Sequence, residues 1–177
     1  MVSDLASIKA QIGEAFSGGV YPGDWCLVSS REGTEPGLLE EEFKGKVDWR
    51  RLDSSFIDQA PDGFGTALSF FSDEAFRFYL PAYLLADLDG KLKQTDVVFA
   101  LTHGLENNSR EERINPRRYG ERTWFEHARH KFAMFNAEEV KAIVGYLRYK
   151  LGTGAITDYE KGHINEALEN YWAARAA

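Results

Sequence analysis

The sequence predicts a mainly α-helical fold, a single compact domain of about seven helices around a central helix over residues 72–89. Three observations carry that prediction. Apolar residues recur three and four apart along most of the chain. Two capping boxes, Asn136 with Glu139 and Thr157 with Glu160, stand directly ahead of such runs. One segment, "SDEAFRFYLPAYLLADLDG", is apolar on most of its sides, which places it at the centre of a fold.

The first element follows Leu5, Ile8, Ile12 and Phe16 on one stripe, with Ser3 as its N-cap and Gly18 and Gly19 beyond its end. "VYPGDWCLVSSREGTEPG" reads as loop, with a minor β element near residues 25–28. In "PGLLEEEFKG", Pro36 suits a first helical turn, the acidic run lies towards the N-terminal end, and Gly45 stops the helix. Trp49, Leu52 and Phe56 are helically spaced in "WRRLDSSFIDQ", and "APDGFG" then breaks the chain.

In the central helix Ser72 is the N-cap, Asp73 and Glu74 load the first turn, and Gly90 follows the end. Phe76, Tyr79, Leu80, Tyr83 and Leu84 make one apolar stripe, and Phe78, Ala82 and Leu85 a second beside it. Pro81 interrupts both. It has no N–H for the Arg77 carbonyl, a defect that costs about 3 kcal/mol in a helix interior. One kinked helix or two helices meeting near Leu80 would result. The bend is read as architectural; the alternative is a polar pocket at the freed carbonyls, with Arg77 as its cation.

Beyond it, "QTDVVFALTHGL" predicts a short helix capped by Thr95. Residues 106–122 are read as a charged, flexible loop without period, and "TWFEHARHKFAMF" as a further short helix. Val140, Ile143, Val144 and Leu147, closed by Gly152, define the next helix, and Ile164, Ala167, Leu168 and Tyr171 the last.

"LSFFSDEAFRFYLPAYLLADL", together with "AF" at 15–16, "YPG" at 21–23 and "VDW" at 47–49, resembles an uncharacterised family of small bacterial cytosolic proteins. The resemblance extends over residues 5–150 and is most specific at 68–85. It implies a bacterial, cytosolic, single-domain protein and brings no activity, cofactor or catalytic residue.

Composition narrows the function classes. A formal charge of −7 and a pI near 5.2 argue against nucleic acid or an anionic membrane as partner. No stretch approaches the roughly 20 apolar residues of a membrane span, and the N-terminus has no signal-peptide pattern. The lone Cys26 excludes an internal disulfide and is expected to be a buried, inert thiol in a cytoplasmic protein. There is no phosphate-binding loop and no nucleophile elbow, so neither a cofactor nor a catalytic residue is expected. His127 and His130, three apart, are a weak metal pair without a third ligand.

The remaining signal is basic. Arg113, Arg117 and Arg118 crowd the 106–122 stretch beside Tyr119 and Trp124, and guanidinium forks of this kind bind carboxylate or phosphate. With Arg77 they are the candidate ligand or partner contacts. The favoured reading is a non-enzymatic protein-interaction factor, accessory or immunity-like. The alternative is a small-molecule binder or enzyme with a pocket near the kinked helix and the arginine loop.

Overall fold

The computed structural model describes residues 4–177, so Ser3, the expected first cap, lies outside the described residues. The chain is mainly helical, and its described residues gather into two units. One runs from Lys9 to Val97. The other joins the residues up to Ile8 with Val98–Ala177.

Helix α1 (Leu5–Ala15) starts behind Asp4, whose carboxylate accepts the Ser7 N–H at 2.9 Å. Its Ile8, Ile12 and, one residue past its end, Phe16 are buried as the spacing requires. The expected β element is a 3-10 turn, Asp24–Cys26, followed by a single antiparallel bridge from Val28 to Phe71. Cys26 is half-buried rather than buried. Its thiol lies 3.8 Å from Glu74, and burial together with that carboxylate raises its pKa.

Helix α2 (Glu35–Phe43) opens on Pro36 as read. The helix expected across Trp49 to Phe56 is split instead. A 3-10 turn, Trp49–Arg51, ends at an extended Leu52, and α3 (Ser54–Gln59) begins afresh under the Asp53 side chain. Residues 67–70 form the one-turn α4 (Ala67–Phe70). Such short pieces make the helices among the described residues more numerous than the seven expected.

Helix α5 (Asp73–Leu88) passes through Pro81 as one helix, not two. Ser72 caps it, accepting the Ala75 N–H at 3.0 Å while donating its hydroxyl proton to the Cys26 carbonyl at 2.6 Å. Its end closes with Gly90 donating to Asp87 and Lys91 to Ala86. Phe76, Tyr79, Leu80, Tyr83 and Leu84 are wholly buried. Phe43, Phe71 and Tyr79 pack with ring centroids 4.9–5.2 Å apart, which makes α5 the core of its unit.

Thr95 caps nothing. Its N–H, with those of Lys93 and Gln94, donates to the buried Asp58 carboxylate at 2.9–3.0 Å. Burial alone would raise the Asp58 pKa; the Gln94, Thr95 and Lys93 amides reverse that and hold it low. Gly65 shares this junction with φ +67, and a Cβ there would meet the Asp58 carbonyl oxygen at 2.6 Å.

The second unit carries α6 (Val97–Thr102) from its second residue on, the one-turn α7 (Pro116–Tyr119), α8 (Trp124–Phe132), α9 (Ala137–Gly152) and α10 (Asp158–Ala167). A π turn, Leu168–Trp172, links α10 to α11 (Ala173–Ala176). Both expected capping boxes are formed, and Thr123 with Glu126 makes a third on α8. Trp172 is fully buried, donating its indole N–H to the Leu101 carbonyl at 2.9 Å with Phe132 at 4.8 Å. Among the described residues no helix is long and apolar enough to cross a membrane.

Candidate functional site

The 106–122 segment lacks a period because it is folded by its own backbone instead of by a repeating face. The Ile114 N–H donates to the Arg122 carbonyl at 3.0 Å, and the Trp124 N–H to the Glu112 carbonyl at 3.0 Å. A bridge pairs Arg113 with Thr123. Between these ends Pro116 starts α7, and the Asn115 side chain accepts the Arg117 N–H at 3.1 Å. The turn therefore holds Arg117 and Arg118 outward, both exposed. Arg113 sits 3.3 Å from Glu121, an exposed pair worth little energetically.

From Arg118 a line of rings leads back to α6. The guanidinium lies 5.6 Å over the Tyr119 ring. Tyr119 meets His127 at 6.2 Å, and His127 meets Trp124 edge-on at 6.1 Å. Trp124 packs on His103 at 4.7 Å, and His103 stacks on Phe99 at 4.7 Å with planes 18° apart. Phe99 is 51% exposed and Tyr119 37%, so the stripe is a surface feature rather than core. It follows from α6 and α8 lying close enough for their aromatic residues to interleave.

That closeness depends on Gly104. Its φ is +86, and a Cβ there would approach the Trp124 carbonyl oxygen and the Ala128 methyl, each at 2.9 Å. The Gly104 N–H donates to Glu106 at 2.7 Å, and the Ser109 hydroxyl donates to the same oxygen at 2.8 Å. The other Glu106 oxygen faces His163 Nδ1 at 3.1 Å and His103 Nδ1 at 3.8 Å. Glu106 is 8% exposed. Burial pushes its pKa up, but the nearby His103 imidazole, the Ser109 hydroxyl and the Gly104 N–H outweigh it and bring the carboxyl down to about 2.

The π turn contributes Asn170, whose amide donates to the Leu105 carbonyl at 2.8 Å and to Asn107 at 2.9 Å. Glu166 accepts the Asn107 N–H at 2.9 Å, and Arg110 covers the Phe125 ring at 3.9 Å. The root of the arginine segment is thus fixed to α8 and α10.

Of the predicted contacts, Arg113, Arg117 and Arg118 share this segment, whereas Arg77 is half-buried on α5 in the other unit. His127 belongs to the ring stripe and His130 is exposed one turn on. Among the described residues no group of three His, Cys, Asp or Glu side chains is placed to hold a metal ion. Glu106, Ser109, His163 and Asn170 were not singled out by sequence. Glu106 and His163 are 57 residues apart, and only the His103–Glu106 spacing of three offered a local sign.

Chemically the face joins planar cations, exposed ring faces and two imidazoles above a carboxylate that is already satisfied internally. Such a surface accepts carboxylates by guanidinium forks and apolar or planar groups on its rings.

A model of a family of unknown function (DUF6714) matches residues 4–176. No curated protein matches the chain, and no solved structure does.

Proposed function

The chain belongs to this family of unknown function, and from its own geometry we propose that it is a non-enzymatic, cytoplasmic interaction protein that receives an acidic segment of a partner protein on the Arg113–Arg118 face. The observation that carries the reading is the ring stripe ending in exposed guanidiniums. Within residues 106–131 seven cations face five carboxylates, in a chain with 28 acidic and 21 basic residues overall. A local basic surface on an acidic body attracts carboxylate groups to that face, while the net charge of −7 opposes a long polyanion such as nucleic acid that would also run over the acidic body. Aromatic and arginine side chains are the residue types that dominate protein interfaces.

The test uses a labelled glutamate-rich peptide, its lysine-rich counterpart, and the double variant Arg117→Ala/Arg118→Ala. The glutamate peptide binds, the lysine peptide does not, and affinity falls as salt is raised. The double variant loses about tenfold or more in affinity, the scale of one charge-assisted contact, with its melting temperature unchanged. Equal binding of both peptides, or an unaffected double variant, would overturn the reading. A lowered melting temperature would show that the arginines hold the segment together instead.

A further inference from the structure

In the Lys9–Val97 unit the C-terminal half of α5 borders a cavity of about 250 Å³. Its origin is local. Leu52 is extended between the Trp49–Arg51 turn and α3, and residues of both elements line the cavity beside α5. Across from Leu52, α5 presents Ala82 and Ala86, one turn apart, whose methyls leave room that larger side chains would fill. Leu52, Ile57 and Leu85 complete an apolar floor. Arg77 is not among the lining residues, so the cavity is not the Arg77 pocket that the proline suggested.

The rim carries Arg50, Lys91, Asp53 and Asp89. The two carboxylates already have close partners. Asp89 Oδ1 takes the Lys9 ammonium at 2.6 Å. Asp53 Oδ1 accepts the Ser55 N–H at 2.9 Å, the Phe56 N–H at 3.4 Å and the Ser55 hydroxyl. The cations are less engaged. Lys91 Nζ lies 3.8 Å from Asp89, and Arg50 lies 3.8 Å from Asp48 and 3.4 Å from the Ser17 carbonyl. Both ion pairs are longer than a hydrogen bond, and a guanidinium has five N–H donors to place. The Arg50 guanidinium stacks 4.4 Å from the Trp49 ring, which fixes its plane at the mouth.

We propose that this cavity binds a small organic carboxylate: its anionic end between Arg50 and Lys91, its branched apolar body over Ile57, Ala82 and Ala86. The volume lies just under the range of drug-sized sites, which limits the occupant to roughly ten non-hydrogen atoms. The inference is independent of the arginine face, since its residues all belong to the other unit.

The experiment titrates the full chain with 4-methylpentanoate, with 4-methylpentan-1-ol, which keeps the body and lacks the charge, and with acetate, which keeps the charge and lacks the body. Binding is read from NMR shifts of the Trp49 indole and the Ala82 and Ala86 methyls. The expected result is saturable shifts with 4-methylpentanoate and affinities at least about tenfold weaker for the other two. Lys91→Gln, at a side chain 59% exposed, weakens 4-methylpentanoate about tenfold and leaves folding intact. Ala86→Leu, which fills the floor, abolishes the shifts at Trp49; if it does not fold, Lys91→Gln carries the test alone. Equal binding of acid and alcohol, shifts centred elsewhere, absence of saturation, or an unaffected Lys91→Gln would each overturn the proposal.

Discussion

Single atoms decide much of this structure's stability, and two of them make opposite predictions. The Tyr83 hydroxyl is buried with no hydrogen-bond partner among the described residues, and burial pushes its pKa far up. An unmade hydrogen bond in a core costs on the order of 1–3 kcal/mol. Tyr83→Phe removes the hydroxyl and keeps the ring, so urea unfolding should show stability unchanged or raised by about 1 kcal/mol. A loss of that size would mean the hydroxyl is bonded after all. Asp58 is the converse case. Three backbone N–H groups from Lys93, Gln94 and Thr95 converge on it, so Asp58→Ala strands all three. The same measurement should then show a loss of about 3 kcal/mol or more.

At the scale of elements, the caps can be tested directly. The Thr157 and Asn136 side chains each accept the N–H three residues on, at 3.2 and 2.9 Å. Thr157→Ala should cost about 1 kcal/mol in urea unfolding. Asn136→Ala should cost at least as much, because its partner Glu139 is 2% exposed and cannot turn to water for compensation. An Asn136 variant as stable as the parent would show that the box adds nothing to α9. These helices were legible because caps and period are local properties. The same holds for α5, where Ser72, the double stripe and the closing turn at Gly90 all sit within one segment. Where local signals competed, the reading failed. Trp49, Leu52 and Phe56 have helical spacing, but Asp53 lies between them and its side chain starts a new helix at Ser54. Thr95 also has a tie that no local window shows, its N–H and hydroxyl both donating to Asp58, 37 residues away. The arginine cluster was visible as charge, yet the bonds from Ile114 to Arg122 and from Trp124 to Glu112 that make it a built turn were not. The Glu106–His163 contact joins residues that no window of sequence holds together.

For the molecule as a whole, the buried carboxylates set how stability responds to acid. Glu106 has a folded pKa of about 2 against an ordinary 4.5. A depressed carboxyl stabilises the fold fully above its unfolded pKa, and that contribution drains away as pH falls from about 4.5 towards 2. Asp58, also held low, acts in the same direction. The Glu106 part amounts to about 3 kcal/mol at neutral pH, since each pKa unit is worth about 1.4 kcal/mol and its side chain is only 10% exposed. Falling pH also protonates the 28 acidic residues and turns the −7 chain strongly positive, which adds repulsion. The Glu106 contribution can be separated from that background. Glu106→Gln keeps the side-chain shape and an acceptor for the Gly104 N–H, but cannot titrate. Its stability at neutral pH should fall, and its further loss between pH 5 and about 2.5 should be smaller than the parent's by about 2 kcal/mol. Urea unfolding of both chains at the two pH values reads the difference. If the two acid limbs run parallel, the carboxylate beneath the arginine segment is not what the folded state protects.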